Sequence, residues 1–467
     1  MSPRSRKSKD RKTRAGRAPK SFETLEPRAA GIDLGAREHF VAGPPHPDGA
    51  PNVKSFGTTT PELRDLADWL AGQGVVSVAM ESTGVYWIPL FEILDARGVE
   101  VLLVNARQVR SVPGRKTDIL DCQWLQMLHR CGLLRGSFRP ADGICALRAV
   151  VRERNGLVAE RSDWVRRMQK CLDQMNVCVH HAVSDITGFT GMAIIRAIVG
   201  GERDPAALAR LRDPRCRKSP EQIARELTGN WRDEHLFNLT QALRMYDHIC
   251  AVIDEYDARI LSIVESLQPD GNRDLAVPDH ASQSKARSIR KRGGEPLREA
   301  LYRIGGVDLT SIDGISVDTS IVVLSEIGWD LSAFPDEQSF VAYLRLAPNL
   351  AVSAGKKVKA KCPSTTCTRI SAALRMAALT LRHSDTALGA YYRRIARRKG
   401  ASVAVFSTAR KLAQIIFRML RYGQQYVDVG TAEYEARFRD RQIKHYTQSL
   451  NEMGFKVIPM PEAECAS

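Results

Sequence analysis

The chain has 467 residues, a length that favours two or three domains, and 43% of them are hydrophobic, enough for packed cores. Lysine and arginine total 69 against 53 aspartates and glutamates, a formal net charge of +16. This excess indicates a polyanionic partner, because cationic surfaces attract phosphate and release its counterions. The alternative is a basic protein without such a partner, and the distribution of the charge helps to separate the two.

The sequence argues against a membrane protein and against a disulfide-rich secreted domain. It has no run of 18 apolar residues, and its basic N-terminus lacks the apolar segment of a secretory signal. The ten cysteines form no Cys-x-x-Cys pair and are interpreted as reduced thiols of a cytoplasmic protein. His180 and His181 are interpreted as structural or solvated rather than as a metal site. Residues 1–27 are predicted to be a disordered basic arm that contacts nucleic acid or acts as a solubilising tail.

Strand and helix patterns alternate in the first domain, residues 28–143, which predicts a mixed α/β sheet flanked by helices. The predicted strands are 30–34, 38–42, 52–56, 75–80 and 99–104. The predicted helices are 61–70, 86–97 and 117–128. Gly98 is expected to end the second of these helices, and Thr117 is a plausible cap for the third.

Four acidic residues occupy positions where this sheet can gather them. Asp33 and Glu81 end two predicted strands, and Asp118 and Asp121 lie three residues apart, on one face of a helix. Carboxylates collected at one edge repel each other unless cations bind between them, and hard oxygen ligands suit Mg²⁺. The pattern predicts a site for two Mg²⁺ ions acting on a phosphodiester. For any one of these residues the alternative is a surface carboxylate or a helix cap.

Two basic segments are predicted to bind nucleic acid. The first precedes the helical acidic pair and contains Arg107, Arg110, Arg115 and Lys116. The second spans residues 338–427, with 17 lysines and arginines and a single acidic residue, Asp385. Ordinary solvated surfaces mix both signs, so this bias favours a phosphate-binding surface. Its candidate contacts are Lys356, Lys357, Lys359, Arg393, Arg394, Arg397 and Arg398, with Tyr391 and Tyr392 expected to stack on bases.

The rest of the chain is predicted to be mostly helical. In residues 144–267 apolar side chains recur in steps of three and four from Leu239 onward, typical of a coiled coil or a long bundle helix, with bundle packing favoured over dimerisation. Residues 268–296 predict a linker or mobile loop. The domain 297–430 contains a helix-hairpin-helix-like segment around Gly314, which either offers backbone N–H groups to phosphate or is an ordinary packing unit. Residues 431–467 are expected to form a C-terminal tail.

Long motifs in the first domain resemble the transposases of the insertion-sequence-110 family. They are GIDLGA (31–36), AMESTGVYW (79–87) and LVNARQVRSVPGRKTDILDCQWLQ (103–126). The resemblance covers residues 30 to about 427 and implies an RNase H-like fold of the RuvC-like type for this domain. It also implies that the family's Asp, Glu, Asp, Asp tetrad falls on Asp33, Glu81, Asp118 and Asp121.

The C-terminal part resembles the second transposase domain of the same family. IDGISVDTSIVVLSEIG (312–328) resembles its hairpin and LRLAPNLAVSAGKKV (344–358) its serine-containing segment. The resemblance implies Ser353 as a nucleophile, whereas the residues alone do not distinguish it from Ser364 or Ser371. Two positions depart from the family pattern. Arg345 stands where glycine is usual, and Ala354 replaces the first glycine after the serine, which is expected to affect the loop because side chains disfavour positive φ.

The family resemblance implies a recombinase guided by a structured RNA that pairs with donor and target DNA. It further implies a homo-oligomer, a dimer to a tetramer, acting in the bacterial cytoplasm on nucleoid DNA. The predicted function is a DNA transposase that cuts and rejoins element ends with Mg²⁺ and a serine nucleophile. One alternative is a RuvC-like structure-specific nuclease that uses water. The other is a nucleic-acid-binding protein with a decayed site.

Overall fold

The computed structural model describes residues 24–46, 49–82, 84–105, 118–269, 275–347, 350–353, 356–359 and 368–458. The chain divides into two compact units, residues 1–138 and 139–467. The first is a mixed α/β unit and the second is mainly helical, which confirms the coarse fold class expected from the sequence. The finer boundaries predicted within residues 144–467 stay predictions. No helix in the described part of the chain is long and apolar enough to cross a membrane.

Five strands form the sheet of the first unit, in the order β3-β2-β1-β4-β5. They are β1 Ala29–Leu34, β2 Glu38–Ala42, β3 Val53–Gly57, β4 Ser77–Glu81 and β5 Glu100–Val104. β1 is antiparallel to β2 and parallel to β4, which is parallel to β5. Because β1 and β4 are neighbours running in one direction, their C-terminal ends meet at the same edge of the sheet.

Helices cover both faces of this sheet: α1 Thr60–Gly72, α2 Trp87–Asp95 and α3 Asp118–Arg130. Leu66, Leu70, Leu90 and Leu94 are fully buried in one core with alternate residues of the strands. On the other face α3 packs its own smaller cluster around Leu125. The alternation of strand side chains therefore decides which residues meet α1 and α2 and which meet α3.

The first part of the second unit is a helical bundle: α4 Asp142–Gln174, α5 Val179–Ala182, α6 Phe189–Val199, α7 Pro205–Arg210, α8 Pro220–Glu226 and α9 Asp233–Ser266. α4 and α9 run antiparallel, with Arg154 on α4 making two hydrogen bonds to the Asp257 carboxylate on α9, at 2.9 and 3.2 Å. Leu239, Ile253 and Val264 are buried within the chain. The apolar repeat is therefore a packing face of the bundle.

The C-terminal part of the second unit adds eight described helices and a hairpin. The helices are α10 Gln283–Lys291, α11 Glu295–Gly305, α12 Val317–Ile327, α13 Glu337–Tyr343, α14 Arg369–Thr380, α15 Ala387–Lys399, α16 Ala401–Tyr422 and α17 Gly430–Glu452. Short 3₁₀ turns lie at Leu309–Ser311 and Leu381–His383. The hairpin consists of antiparallel β6 Leu350–Ser353 and β7 Lys356–Lys359.

Two helices lie where the sequence predicted a linker and a tail. α10 falls inside residues 268–296, where the Ser282 hydroxyl accepts a hydrogen bond from Lys285 N and caps the helix, while Ile289 is buried. The sequence predicted a loop there because the segment is rich in Pro, Gly and Ser. The helix itself shows only a capping serine and one buried apolar residue in its sequence. α17 falls in the predicted tail and has no buried residue, so its sequence carries little core signal.

Candidate active site

Asp33 and Glu81 lie side by side on neighbouring strands and on the same face of the sheet. The parallel register pairs Ile32 with Met80, so the next residue of each strand is Asp33 and Glu81 respectively. Ile32 and Met80 are fully buried in the core with α1 and α2. Since strand side chains alternate, Asp33 and Glu81 belong to the opposite face, which is the face that α3 covers.

α3 lies in direct backbone contact with β1 at Gly31. A Cβ at Gly31 would lie 2.3 Å from Gln126 N and 2.5 Å from Cys122 O, so no larger residue fits without displacing the helix. The helix that carries Asp121 therefore rests on the strand that carries Asp33. Gly31 was not among the residues predicted for the site, although a glycine inside a predicted strand is a known signal of close backbone approach.

The thiol of Cys122 is buried near the strand that carries Asp33. Cys122 is part of α3; its side chain is fully buried, and its Sγ donates to Ile119 O over 3.1 Å. Burial, together with the negative charges of Asp33 and, less strongly, Asp121, raises the pKa of the Cys122 thiol to about 12. The carboxylate of Asp33 on β1 thus acts on a thiol of α3, the helix that also carries Asp121.

Two further parts of the predicted site are defined only partly. Asp118 is the first residue of α3, three residues before Asp121, and its side chain lies outside the described structure. The basic residues expected to hold phosphate next to the acids also lie outside the described residues: Arg107, Arg110, Arg115 and Lys116. The described donors are carboxylates from two strand ends and one helix. Such hard oxygen ligands fit a magnesium-type divalent cation.

Ser353 is the last residue of β6, in a segment for which the sequence predicted no strand. The backbone register pairs it with Lys356, the first residue of β7, and pairs Val352 with Lys357 and Leu350 with Lys359. The side chains of these residues lie outside the described structure. These three lysines, predicted to contact phosphate, therefore belong to the strand that pairs with the strand of Ser353.

Arg345, which departs from the family pattern, has a φ of 58°. This is the left-handed region that glycine adopts most easily. The backbone here thus has the conformation of a glycine position although the residue is arginine. Ala354, the second departure, lies outside the described residues.

The arginines predicted to bind nucleic acid on α15 have different surroundings. Arg397 and Arg398 are exposed. Arg393 donates to Ser384 O over 2.6 Å. The Arg394 guanidinium lies 3.8 Å from the centroid of the Phe438 ring on α17, and it also faces two tyrosine rings. Arg397 and Arg398 are thus the better placed pair for phosphate.

The expectation that Tyr392 stacks on bases is wrong. Its side chain is only 3% exposed and belongs to the packed interior of the second unit. Successive residues of a helix point in different directions, so Tyr392 can face the core although its neighbour Tyr391 does not. Tyr391, its neighbour, is half-buried and lies under Arg394.

The predicted hairpin turn packs against the rest of the second unit. Gly314 has a φ of 81°, and a Cβ there would lie 2.9 Å from Ala377 O on α14. Lys285 Nζ donates to Ile312 O, and the Tyr426 hydroxyl donates to an Asp313 carboxylate oxygen. These contacts favour the ordinary packing unit over a phosphate-binding turn.

Comparison with known protein families matches two parts of this chain. Residues 30–177 match a family model for a transposase of the DEDD IS110 type. Residues 306–393 match the model described as Transposase IS116/IS110/IS902 family. Together the two matches cover about half of the chain, and they contain the four acidic residues and Ser353 respectively. No curated protein matches the chain.

Proposed function

Because this chain belongs to the IS110 family of transposases and is therefore a DNA transposase, we propose that it cuts and rejoins insertion-sequence ends with Mg²⁺ and a serine nucleophile. The metal ligands are Asp33, Glu81, Asp118 and Asp121, and the nucleophile is Ser353. The observation that carries the metal site is the contact of α3 with β1 at Gly31, which places the helix of Asp121 against the strand of Asp33, next to Glu81. The mixed sheet with helices on both faces supports the RuvC-like, RNase H-like assignment.

The acidic residues hold the divalent metal that a DEDD transposase domain generally requires. Asp33 and Glu81 are fixed by the sheet, and Asp121 by a helix that cannot move away from Gly31 without losing its packing. Carboxylates so gathered repel each other, and this repulsion favours binding of divalent cations, two in our proposal. When bound, Mg²⁺ polarises the scissile phosphate and stabilises the departing oxygen.

Ser353 attacks the phosphorus of one DNA strand. Its hydroxyl proton leaves, a bond forms from Oγ to phosphorus, and the bond from phosphorus to the departing sugar oxygen breaks, with a proton taken up by that oxygen. The phosphoserine link conserves the bond for rejoining to another strand. A serine hydroxyl is a weak nucleophile, so it requires activation by the metal or a base. Lys356, paired with Ser353 in the hairpin register, and Lys357 supply positive charge for the phosphate oxygens.

The partners follow from the same proposal. DNA ends and a structured guide RNA bind the basic residues, among which Arg397 and Arg398 are exposed. The protein acts as a homo-oligomer, a dimer to a tetramer, on nucleoid DNA in the bacterial cytoplasm. Purification without nuclease, followed by sequencing of the RNA that accompanies the protein, tests the guide. We expect a single RNA species that is transcribed from the DNA next to the gene for this protein. Random cellular RNA would contradict the guide RNA.

A suicide DNA substrate that carries the DNA flanking the gene tests the serine. With Mg²⁺ the wild type and a Ser364→Ala control form a covalent adduct, and Ser353→Ala forms none. An adduct that survives Ser353→Ala refutes the nucleophile. Cleavage by Ser353→Ala without any adduct favours the water-using nuclease instead.

The same DNA tests the metal site independently of the serine. Asp33→Asn abolishes Mg²⁺-dependent cleavage, because it removes one ligand charge, but leaves DNA affinity within about twofold of wild type. Unchanged cleavage by this variant contradicts the metal site. Binding without cleavage by the wild type itself supports the decayed-site alternative.

A further inference from the structure

Three side chains of different metal-ligand types converge in the second unit. Cys178, His181 and Glu226 bring a thiol sulfur, an imidazole nitrogen and a carboxylate oxygen within 4.8 Å of one another. His181 Nδ1 lies 3.4 Å from Glu226 Oε2. Two donors bound to one zinc ion at about 2.0–2.1 Å with tetrahedral angles lie about 3.4 Å apart. We propose that these three residues bind one Zn²⁺ ion.

The two ligand-bearing segments are joined by their backbones. Cys178 N donates to Glu226 O over 2.8 Å, and Asn230 N donates to Met175 O over 2.7 Å. Gly229 permits this approach, since a Cβ there would lie 2.6 Å from Met175 O. The positions of the ligands are therefore set by the fold before any ion binds, as a stable metal site requires.

The residues that flank the ligands are buried in the core, whereas the ligands themselves are open to solvent. Val177, Val179, Ile223 and Leu227, which flank the ligands in sequence, are at most 1% exposed. The His181 side chain is 57% exposed and that of Glu226 is 34% exposed. An ion and a water molecule can reach the three donors from solvent, and water completes the fourth tetrahedral position.

The residues in and around the cluster favour a divalent cation softer than magnesium. Lys218 Nζ lies 3.7 Å from Glu226 Oε1 and donates to His181 O over 2.5 Å. This ammonium group partly neutralises one carboxylate oxygen and leaves Oε2 for the ion. Mixed sulfur, nitrogen and oxygen donors suit zinc, whereas magnesium takes oxygen donors. The site therefore differs in metal preference from the acidic residues of the first unit.

The His181 ring is held in place by its neighbour. The ring of His180 lies 4.2 Å from it between centroids, and His180 Nδ1 lies 3.3 Å from an Asp173 carboxylate oxygen. The His181 atom proposed to bind the ion is Nδ1, which lies 3.4 Å from Glu226 Oε2. The cluster joins the segment after α4 to the end of α8, so the bound ion acts as a cross-link within the bundle.

Metal titration of the full-length protein tests this site. The protein is stripped with a chelator and titrated with Co²⁺, which reports a sulfur ligand by a thiolate-to-cobalt charge-transfer band, and then with Zn²⁺ in competition. One equivalent per chain and a charge-transfer band are expected. Cys178→Ser loses the band and weakens zinc binding more than about 100-fold, since loss of a direct ligand exceeds the effect of losing an outer partner. Cys216 is a partly buried cysteine outside the cluster, so Cys216→Ser should keep the charge-transfer band and the zinc affinity of the wild type.

The outcomes that overturn the proposal are distinct. A charge-transfer band that persists in Cys178→Ser, or that disappears in Cys216→Ser, places the metal elsewhere. Absence of the band in the wild type also refutes the site. Glu226→Gln gives a second readout, because zinc should raise the thermal unfolding midpoint of the wild type and of Cys216→Ser but raise it less in Glu226→Gln. An equal rise in all three contradicts the carboxylate ligand.

Discussion

Arg345 shows how one residue stores backbone strain. It follows α13, where Arg345 N donates to Ala342 O over 2.9 Å and Leu346 N donates to Val341 O over 3.0 Å. This pair of bonds ends a helix as a Schellman motif, whose left-handed residue is usually glycine. A side chain in that conformation costs about 1–2 kcal/mol.

Replacement of Arg345 by glycine is expected to stabilise the protein. The free energy of unfolding should rise by about 1 kcal/mol or less, because relief of strain is partly offset by the greater freedom of glycine in the unfolded chain. Urea unfolding followed by circular dichroism measures the change. Arg345→Ala, which removes the charge but keeps Cβ, should show no comparable gain. If alanine stabilises as much as glycine, the charge and not the backbone is responsible.

At this scale the sequence predicts the acidic site residues but not the contacts that position them. Asp33 and Glu81 were predictable because each ends a run of β-branched and apolar residues. The contact of Gly31 with α3 and the burial of Cys122 depend on tertiary packing, which periodicity does not encode. Ser353 needed the family resemblance, since nothing in its neighbours separates it from other serines.

At the scale of elements, the packing of α3 on β1 is the contact on which the acidic site depends. Gly31→Ala would place a methyl group 2.3 Å from Gln126 N, a backbone atom that cannot rotate away. Overpacking of this kind costs about 1–3 kcal/mol. Calorimetric unfolding should show that loss, and Mg²⁺-dependent cleavage should fall at temperatures where the variant remains folded, because Asp121 moves with the helix.

A matched glycine serves as the control for this prediction. Gly72, the last residue of α1, has no atom within 4 Å of its would-be Cβ. Gly72→Ala is expected to leave stability unchanged or raise it by up to about 1 kcal/mol. If Gly31→Ala is as stable and as active as Gly72→Ala, α3 does not depend on close contact with β1.

Elements with a strong apolar periodicity were predictable from the sequence, and elements with a short or weak apolar pattern were not. All five strands of the sheet and the helices α1, α2 and α9 follow their sequence patterns closely. The hairpin β6–β7 was missed because two four-residue strands offer too short a pattern. α10 and α17 were missed because a helix with one buried residue or none lacks the apolar stripe that identifies it.

For the molecule as a whole, the formal charge of +16 predicts DNA binding that weakens steeply with salt. Each lost phosphate contact lowers the log–log salt slope by about 0.9, so replacing both Arg397 and Arg398 by alanine should lower it by about 2. Fluorescence anisotropy with duplex DNA across a salt series measures the slope. Arg437→Ala is the control, since this arginine already pairs with Glu433. Equal slopes for the wild type, the double variant and Arg437→Ala would show that α15 is not part of the DNA-binding surface.

The paired helices α4 and α9 give the second unit a fixed internal length. Near the start of α4, Ile144 lies against Gly328 just after α12, whereas Leu172 near its end belongs to the bundle core with α6. At 1.5 Å per residue these two points are about 40 Å apart along the helix axis, slightly more than one turn of duplex DNA. Two braced helices resist bending far more than a single linker would. Groups carried near the two ends of this helix pair therefore keep a fixed separation.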